Sequence, residues 1–196
     1  MEIIPDRDEC RRLMEQHGML DNIVAHSLEV SKVARFLSEG LNQKGQRIDL
    51  RLVEAAALLH DIAKTRCLRT KEDHTQAGYR LLKQMGYERV GRIVAQHVWL
   101  DGEGDPFSVS EEEIVNYADK RVRHDQIVSL EERFVDLRQR YGKDEHALAY
   151  LERMEKAILG VEAKIFLILE ADPCDLQCLS EALSPRVENE PFGSPA

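Results

Sequence analysis

Cysteine is sparse and never closely paired in this chain. The four residues, at 10, 67, 174 and 178, show neither CxxC spacing nor the density of a small secreted scaffold, which excludes a disulfide framework. All four are expected to be reduced, and the CxxxC of Cys174 and Cys178 is a poor zinc signal beside ordinary packing. Long apolar runs are missing as well. No window approaches the roughly 20 uninterrupted apolar residues that a bilayer demands, and the opening MEIIPDRDECRR lacks the apolar stretch of a secretory signal, so no membrane association and a cytoplasmic location are expected. Positive charge is in deficit, with 27 Lys and Arg against 36 Asp and Glu and a formal net charge of −9. That balance argues against general nucleic-acid binding, which needs a broad basic surface, and leaves room only for a local basic pocket. Internal repeats and sustained period-2 alternation are absent too, which leaves no segment that reads as a strand.

What remains is helical spacing along a chain whose 196 residues fit one domain. The expectation is an all-α fold over residues 1–172, with a core at about 20–125 and C-terminal helices within 129–170. A flexible tail is expected over 173–196, where SPRVENEPFGSPA holds too few large apolar residues to order itself. A first helix over about 6–17 stops near Gly18, and a second runs from Asp21, read as its N-cap, to about Gly40. Asp49 caps a third over about 50–64, the most apolar of all, and the basic stretch KTRCLRTK after it reads as a loop. Helices near 74–85 and 88–98 follow. Ser110 with Glu113 and Ser129 with Glu132 make two capping boxes that open further helices. The longest segment, 144–170, carries Leu148, Leu151, Met154, Ile158, Val161, Ile165 and Ile168 in 3-and-4 spacing, a stripe that serves the core or a homodimer.

The chemistry concentrates in His60 and Asp61, at the end of LVEAAALLHDIAK, with His26, His74, His97 and Asp119 far away in sequence. His26 stands in one row with Val30, Val33 and Leu37, which points its imidazole at the core. Imidazole and carboxylate ligands suit divalent transition metals, and a phosphoester-cleaving site needs such ligands plus open positions for water and substrate. A carboxylate beside an imidazole lets Asp61 bridge two cations about 3.5 to 4 Å apart, which lower the pKa of a shared water towards about 7.

The order H…HD…H…H…D, with HDIAK close to HDIGK, resembles the HD-domain superfamily of metal-dependent phosphohydrolases over about residues 20–125. The segment DHTQAGYRLLKQMGYERVGRIVAQH and the downstream YADKR resemble the family as well. Among its two-metal members the chain is similar to small stand-alone bacterial proteins such as the HD-type symmetrical diadenosine tetraphosphate hydrolases.

The resemblance implies a helical bundle whose first metal is held by His26, His60, Asp61 and Asp119, with His74 and His97 adding the ligands of a second. Asp61 would bridge the ions, and Lys64 would hold a phosphate oxygen. Lys64, Arg66, Arg69, Lys120 and Arg123 are candidate substrate-binding residues, with Lys71 and Arg121 beside them. The implied reaction is attack of a metal-activated hydroxide on a phosphoester or phosphoanhydride of a nucleotide, with iron, manganese, cobalt, nickel or zinc as the metal. A regulatory module that binds nucleotide or metal without turnover is the alternative from another class. The loop HVWLDGEGDP also resembles the signature of HD-GYP cyclic-dinucleotide phosphodiesterases, but Gln96, Val98 and Asp105 depart from it. His17, His124 and His146 match no motif and read as surface or structural, and Trp99 reads as a packing residue rather than a stacking platform.

Overall fold

The computed structural model describes residues 3–102 and 104–176. Its helices are α1 (Arg7–Gln16), α2 (Asp21–Gln43), α3 (Leu50–Leu59), α4 (Lys64–Thr70), α5 (His74–Gln84), α6 (Glu88–Gln96), α7 (Glu111–Lys120), α8 (Leu130–Tyr141) and α9 (Glu145–Leu169). Between α7 and α8 lie the two-residue strands β1 (Val122–Arg123) and β2 (Gln126–Ile127), an antiparallel pair. The fold is an all-α bundle, and that hairpin is the one departure from it among the described residues.

Helix α3 sits at the centre and packs against α1, α2, α6 and α7. Leu52, Val53 and Ala55 to Leu59 are all buried, and each large side chain among them contributes about 1.5–3 kcal/mol relative to exposure. The alanines let neighbouring helices approach closely, so the end of α3 is held by the best-packed part of the molecule. The stripe of α9 is used within the chain, where Leu151, Met154, Ile158, Val161 and Ile165 are buried against neighbours that include α2, α7 and α8.

Several ends differ from the sequence reading, each for a local reason. Helix α2 starts one residue earlier, with Leu20 as N-cap and Asp21 in the first turn. It also continues through Gly40 to Gln43, because that glycine is a packing residue rather than a stop: a Cβ there would meet the Leu169 side chain at 3.0 Å. Helix α3 stops at Leu59 rather than 64, as the backbone tightens to three-residue turns from Ile62 N to Leu59 O and Lys64 N to Asp61 O. The basic stretch is not a loop. Residues 64–70 contain no glycine or proline and bury Cys67, so they form α4, which ends where Lys71 adopts a left-handed φ of 62°. Both capping boxes form, at Ser110 with Glu113 and at Ser129 with Glu132. At the start of the expected tail, Leu176 is buried and Pro173 O accepts from Arg121, which orders residues 173–176; positions 177–196, Cys178 among them, lie outside the described residues. Among the described residues no helix is long and apolar enough to cross a membrane.

Candidate metal centre

Four elements aim imidazoles at one point. The row on α2 is buried at His26, Val30, Val33 and Leu37, and His26 donates from Nδ1 to His124 O at 2.8 Å, a carbonyl at the hairpin tip where His124 takes a φ of 58°. His60 at the end of α3 and His97 at the end of α6 are each anchored through Nδ1 to a backbone carbonyl, and both are buried. His74 is the first residue of α5, behind the N-cap Asp73, and keeps about a quarter of its side chain exposed.

A carbonyl only accepts, so the network assigns the proton of His26, His60 and His97 to Nδ1 and leaves Nε2 presenting a lone pair. Those lone pairs converge on carboxylates. His26 Nε2 lies 3.0 Å from Asp119 Oδ1, and His60 Nε2 lies 3.4 Å from Asp61 Oδ2 and 3.6 Å from Asp119 Oδ1. His74 Nε2 and His97 Nε2 lie 3.4 and 3.5 Å from Asp61 Oδ1 and 3.2 Å from each other. Two triads, His26–His60–Asp119 and His60–Asp61–His97, have ligand atoms within 4.8 Å of one another, all from buried residues. His60 Nε2 and Asp61 Oδ1 are buried with no hydrogen-bond partner. Acceptors facing acceptors away from water are unfavourable until a positive charge lies between them, and this donor set suits divalent first-row ions. The residues therefore fit the metal that the sequence implies.

The local field agrees. Burial opposes charge on Asp61, but His60 and Lys64 outweigh it and hold the carboxyl well below its usual range. Asp119 is held low in the same way, by Lys120 and the two imidazoles against burial. Burial would lower His60, yet the charges of Asp61 and Asp119 raise it, so the pocket favours a positive charge at that Nε2. Burial and the neighbouring His97 push His74 down to about 4. His97 is lowered chiefly by burial.

Lysines complete the cluster. Lys64 Nζ is 2.6 Å from Asp61 Oδ2, and buried Lys120 donates to His97 O and Asp119 Oδ2, each at 2.8 Å. Arg121 is buried but turned away from the cluster, bound to Glu162, Val128 O and Pro173 O. Arg66, Arg69 and Arg123 line neither cavity at the cluster. On α4, Lys64 and Leu68 share the inner side, while Arg66 and Arg69 lie about 200° and 140° around the helix from Lys64 and point outward. Lys71 is exposed as well.

Two cavities meet at Lys64. The larger, of about 570 Å³, reaches His74, His97 and Asp119 and has an apolar wall that includes Leu137, Leu151 and Met154. The smaller, of about 220 Å³, opens beside His26 and Asp61. Sequence reasoning missed the residues that α8 supplies, Arg133, Leu137, Arg140 and Tyr141, although Arg133, Leu137 and Tyr141 are spaced i, i+4, i+8 on a strongly capped helix. It also set aside His124 and His146, which line the smaller and larger cavity respectively. Trp99 packs in part, stacking on Tyr150 with ring centroids 5.6 Å apart. Gln96 serves the fold, since its side-chain oxygen accepts from Asp101 N and its carbonyl from Asn116.

A helical bundle that gathers histidines and aspartates from α2, α3, α5, α6 and α7 around one buried point defines the class. The family model of the HD domain matches residues 23–137, and the chain belongs to that family, one of metal-dependent phosphohydrolases. It is similar to a tRNA (cytidine(56)-2'-O)-methyltransferase of Picrophilus torridus, 32% identical over 143 residues that cover 66% of this chain and 40% of the relative. An uncharacterized protein of Methanocaldococcus jannaschii is 33% identical over 79 residues, 40% of this chain and 46% of that one. A Ribonuclease Y of Fervidobacterium nodosum is 25% identical over 179 residues, 86% of this chain and 32% of that one. The chain thus spans less than half the length of each of these relatives. No solved structure matches it.

Proposed function

We propose that this protein is a metal-dependent phosphohydrolase that cleaves a phosphoester or phosphoanhydride of a nucleotide. The observation that carries the reading is the convergence of four imidazole Nε2 atoms and two carboxylates, with His60 Nε2 and Asp61 Oδ1 buried and unpartnered. His26, His60 and Asp119 would hold one divalent ion, and Asp61, His97 and His74 a second, with Asp61 shared. A bound divalent ion supplies Lewis acidity, lowering the pKa of coordinated water and offsetting charge on a phosphoryl oxygen.

The chain's own groups do the rest. Lys64 places its ammonium where a non-bridging phosphoryl oxygen gains charge in the transition state, and the low-dielectric surroundings strengthen that attraction. Lys120 holds Asp119 in position. The apolar wall of the larger cavity seats the organic part of the substrate and keeps bulk water from the reacting phosphorus. Association of two copies through helix 144–170 would use its outer face, where Leu159 and Leu167 are exposed.

Two relatives bear the names of enzymes that act on RNA, which favours a second reading in which the phosphoester lies at an RNA end. Purified protein stripped with EDTA and reloaded with manganese, iron(II), cobalt, nickel or zinc should cleave at least one substrate from a panel of nucleoside phosphates, dinucleoside polyphosphates, cyclic dinucleotides and end-phosphorylated RNA. No cleavage with any metal would transfer the assignment to a binding module without turnover.

A further inference from the structure

We infer that the smaller cavity is a phosphate subsite and that Arg133 is its specificity-determining donor, while the larger cavity takes the organic part of the substrate. This deepens the hydrolase reading and rests on it. Arg133 lies on the first turns of α8 and lines both cavities, as Lys64 does. Its side chain is only 13% exposed. One terminal nitrogen is 3.2 Å from Asp136, yet its Nε is buried without a partner. A guanidinium offers donors in a fixed fork, and leaving one of them buried and unmet is unfavourable until an acceptor arrives.

The surroundings say which acceptor. The smaller cavity is lined by Lys64, Arg133 and Arg140, with His26 and His124 beside them; Asp61 is the one carboxylate on its lining, and Asp136 pairs with both arginines. In a chain with a net charge of −9, that concentration of cations fits a tetrahedral dianion, whose oxygens match the arginine fork and the lysine ammonium. Its size agrees too, since about 220 Å³ is ample for a phosphoryl group and well under the 570 Å³ beside it. The larger cavity, with Leu137, Leu151, Met154 and the Tyr150 ring on its wall, has the volume and apolar surface for a base and sugar. A substrate spanning the two would lay its reacting phosphorus beside Lys64 and Asp61.

The test uses inorganic phosphate as probe, titrated calorimetrically into the full-length protein in metal-free and manganese-loaded forms. Wild type is compared with Arg133→Gln, Arg133→Lys and the remote control Lys32→Gln. Phosphate affinity should fall about tenfold or more in Arg133→Gln and less in Arg133→Lys, with no change in Lys32→Gln or in manganese content. Unchanged affinity in a folded Arg133 variant, or no phosphate binding by wild type, overturns the subsite. Should Arg133→Gln fail to fold, Arg133→Lys carries the same decision, because it keeps the charge and loses the fork. Among substrates that are cleaved, KM should rise in Arg133→Gln with kcat nearly constant, and an unchanged KM rejects the subsite while the hydrolase assignment stands. Loss of phosphate binding in Arg133→Gln, in a protein that cleaves nothing, supports the subsite and defeats the hydrolase assignment instead.

Discussion

His60 and His97 end their helices in the same way. Each ring donates from Nδ1 to the carbonyl three residues back, Ala57 O at 2.8 Å and Val94 O at 2.7 Å, and the two rings stand edge-on with centroids 4.9 Å apart. One device therefore satisfies a terminal carbonyl, stops the helix and turns Nε2 towards the cluster. Two packed helices whose C-terminal histidines meet thus present ligand-type atoms from a rigid backbone.

Asp61 is the residue on which the most depends. Asp61→Asn keeps the shape but removes the negative charge nearest His60, His74 and His97, so bound manganese and turnover should both fall, the latter at least about a hundredfold. Elemental analysis beside rate measurements checks this. Full metal content and near-normal turnover would remove Asp61 from the centre.

Lys64→Ala separates catalysis from assembly. Its ammonium contacts Asp61 but offers no lone pair, so metal content should hold while kcat drops about 10²–10³-fold. Loss of metal in this variant would mean that Lys64 works by shaping the cluster.

Stability should depend on the central helix. Leu59 is fully buried on α3, and Leu59→Ala is expected to lose about 2–5 kcal/mol. Urea unfolding should show a lower midpoint at unchanged slope. A shift under about 1 kcal/mol would contradict the central placement of α3.

Alkaline pH offers an independent check. Burial first, then Glu54, Asp6 and Glu9, push the Cys10 thiol up to about 12. A pKa raised by folding gives a contribution that is whole below the unfolded value of about 9 and is lost as pH rises towards about 12. Native protein at pH 8 should leave Cys10 unalkylated by iodoacetamide while the exposed Cys174 reacts, and unfolding should equalise them. Prompt native labelling of Cys10, read by peptide mapping, would show that α1 opens locally.

Much of this was legible in the chain. Capping boxes at Ser110 and Ser129 and the row from His26 to Leu37 are local signals, and they gave the right elements because local chemistry and packing agree there. The convergence of His26, His60, Asp61, His74, His97 and Asp119 was reached through motif order. Composition hid α4, since five basic and polar residues around Leu68 and one buried Cys67 look like loop until the contacts with α5 are known. The α8 side of the site was hidden for another reason. Arg133, Leu137 and Tyr141 belong to no motif, and their role depends on how α8 packs over the cavity, which is a tertiary fact. Arg66, Arg69 and Arg123 line neither cavity, because nearness in sequence to a ligand says nothing about which side of a helix or strand faces it.

Lys120, bound at once to the last carbonyl beyond α6 and to the carboxylate near the end of α7, couples the two triads mechanically. His97 belongs to one and Asp119 to the other, so neither can drift without dragging a buried ammonium from its partners. With His60 common to both triads, that ammonium is a second tie between them, so a displacement on one side is felt on the other.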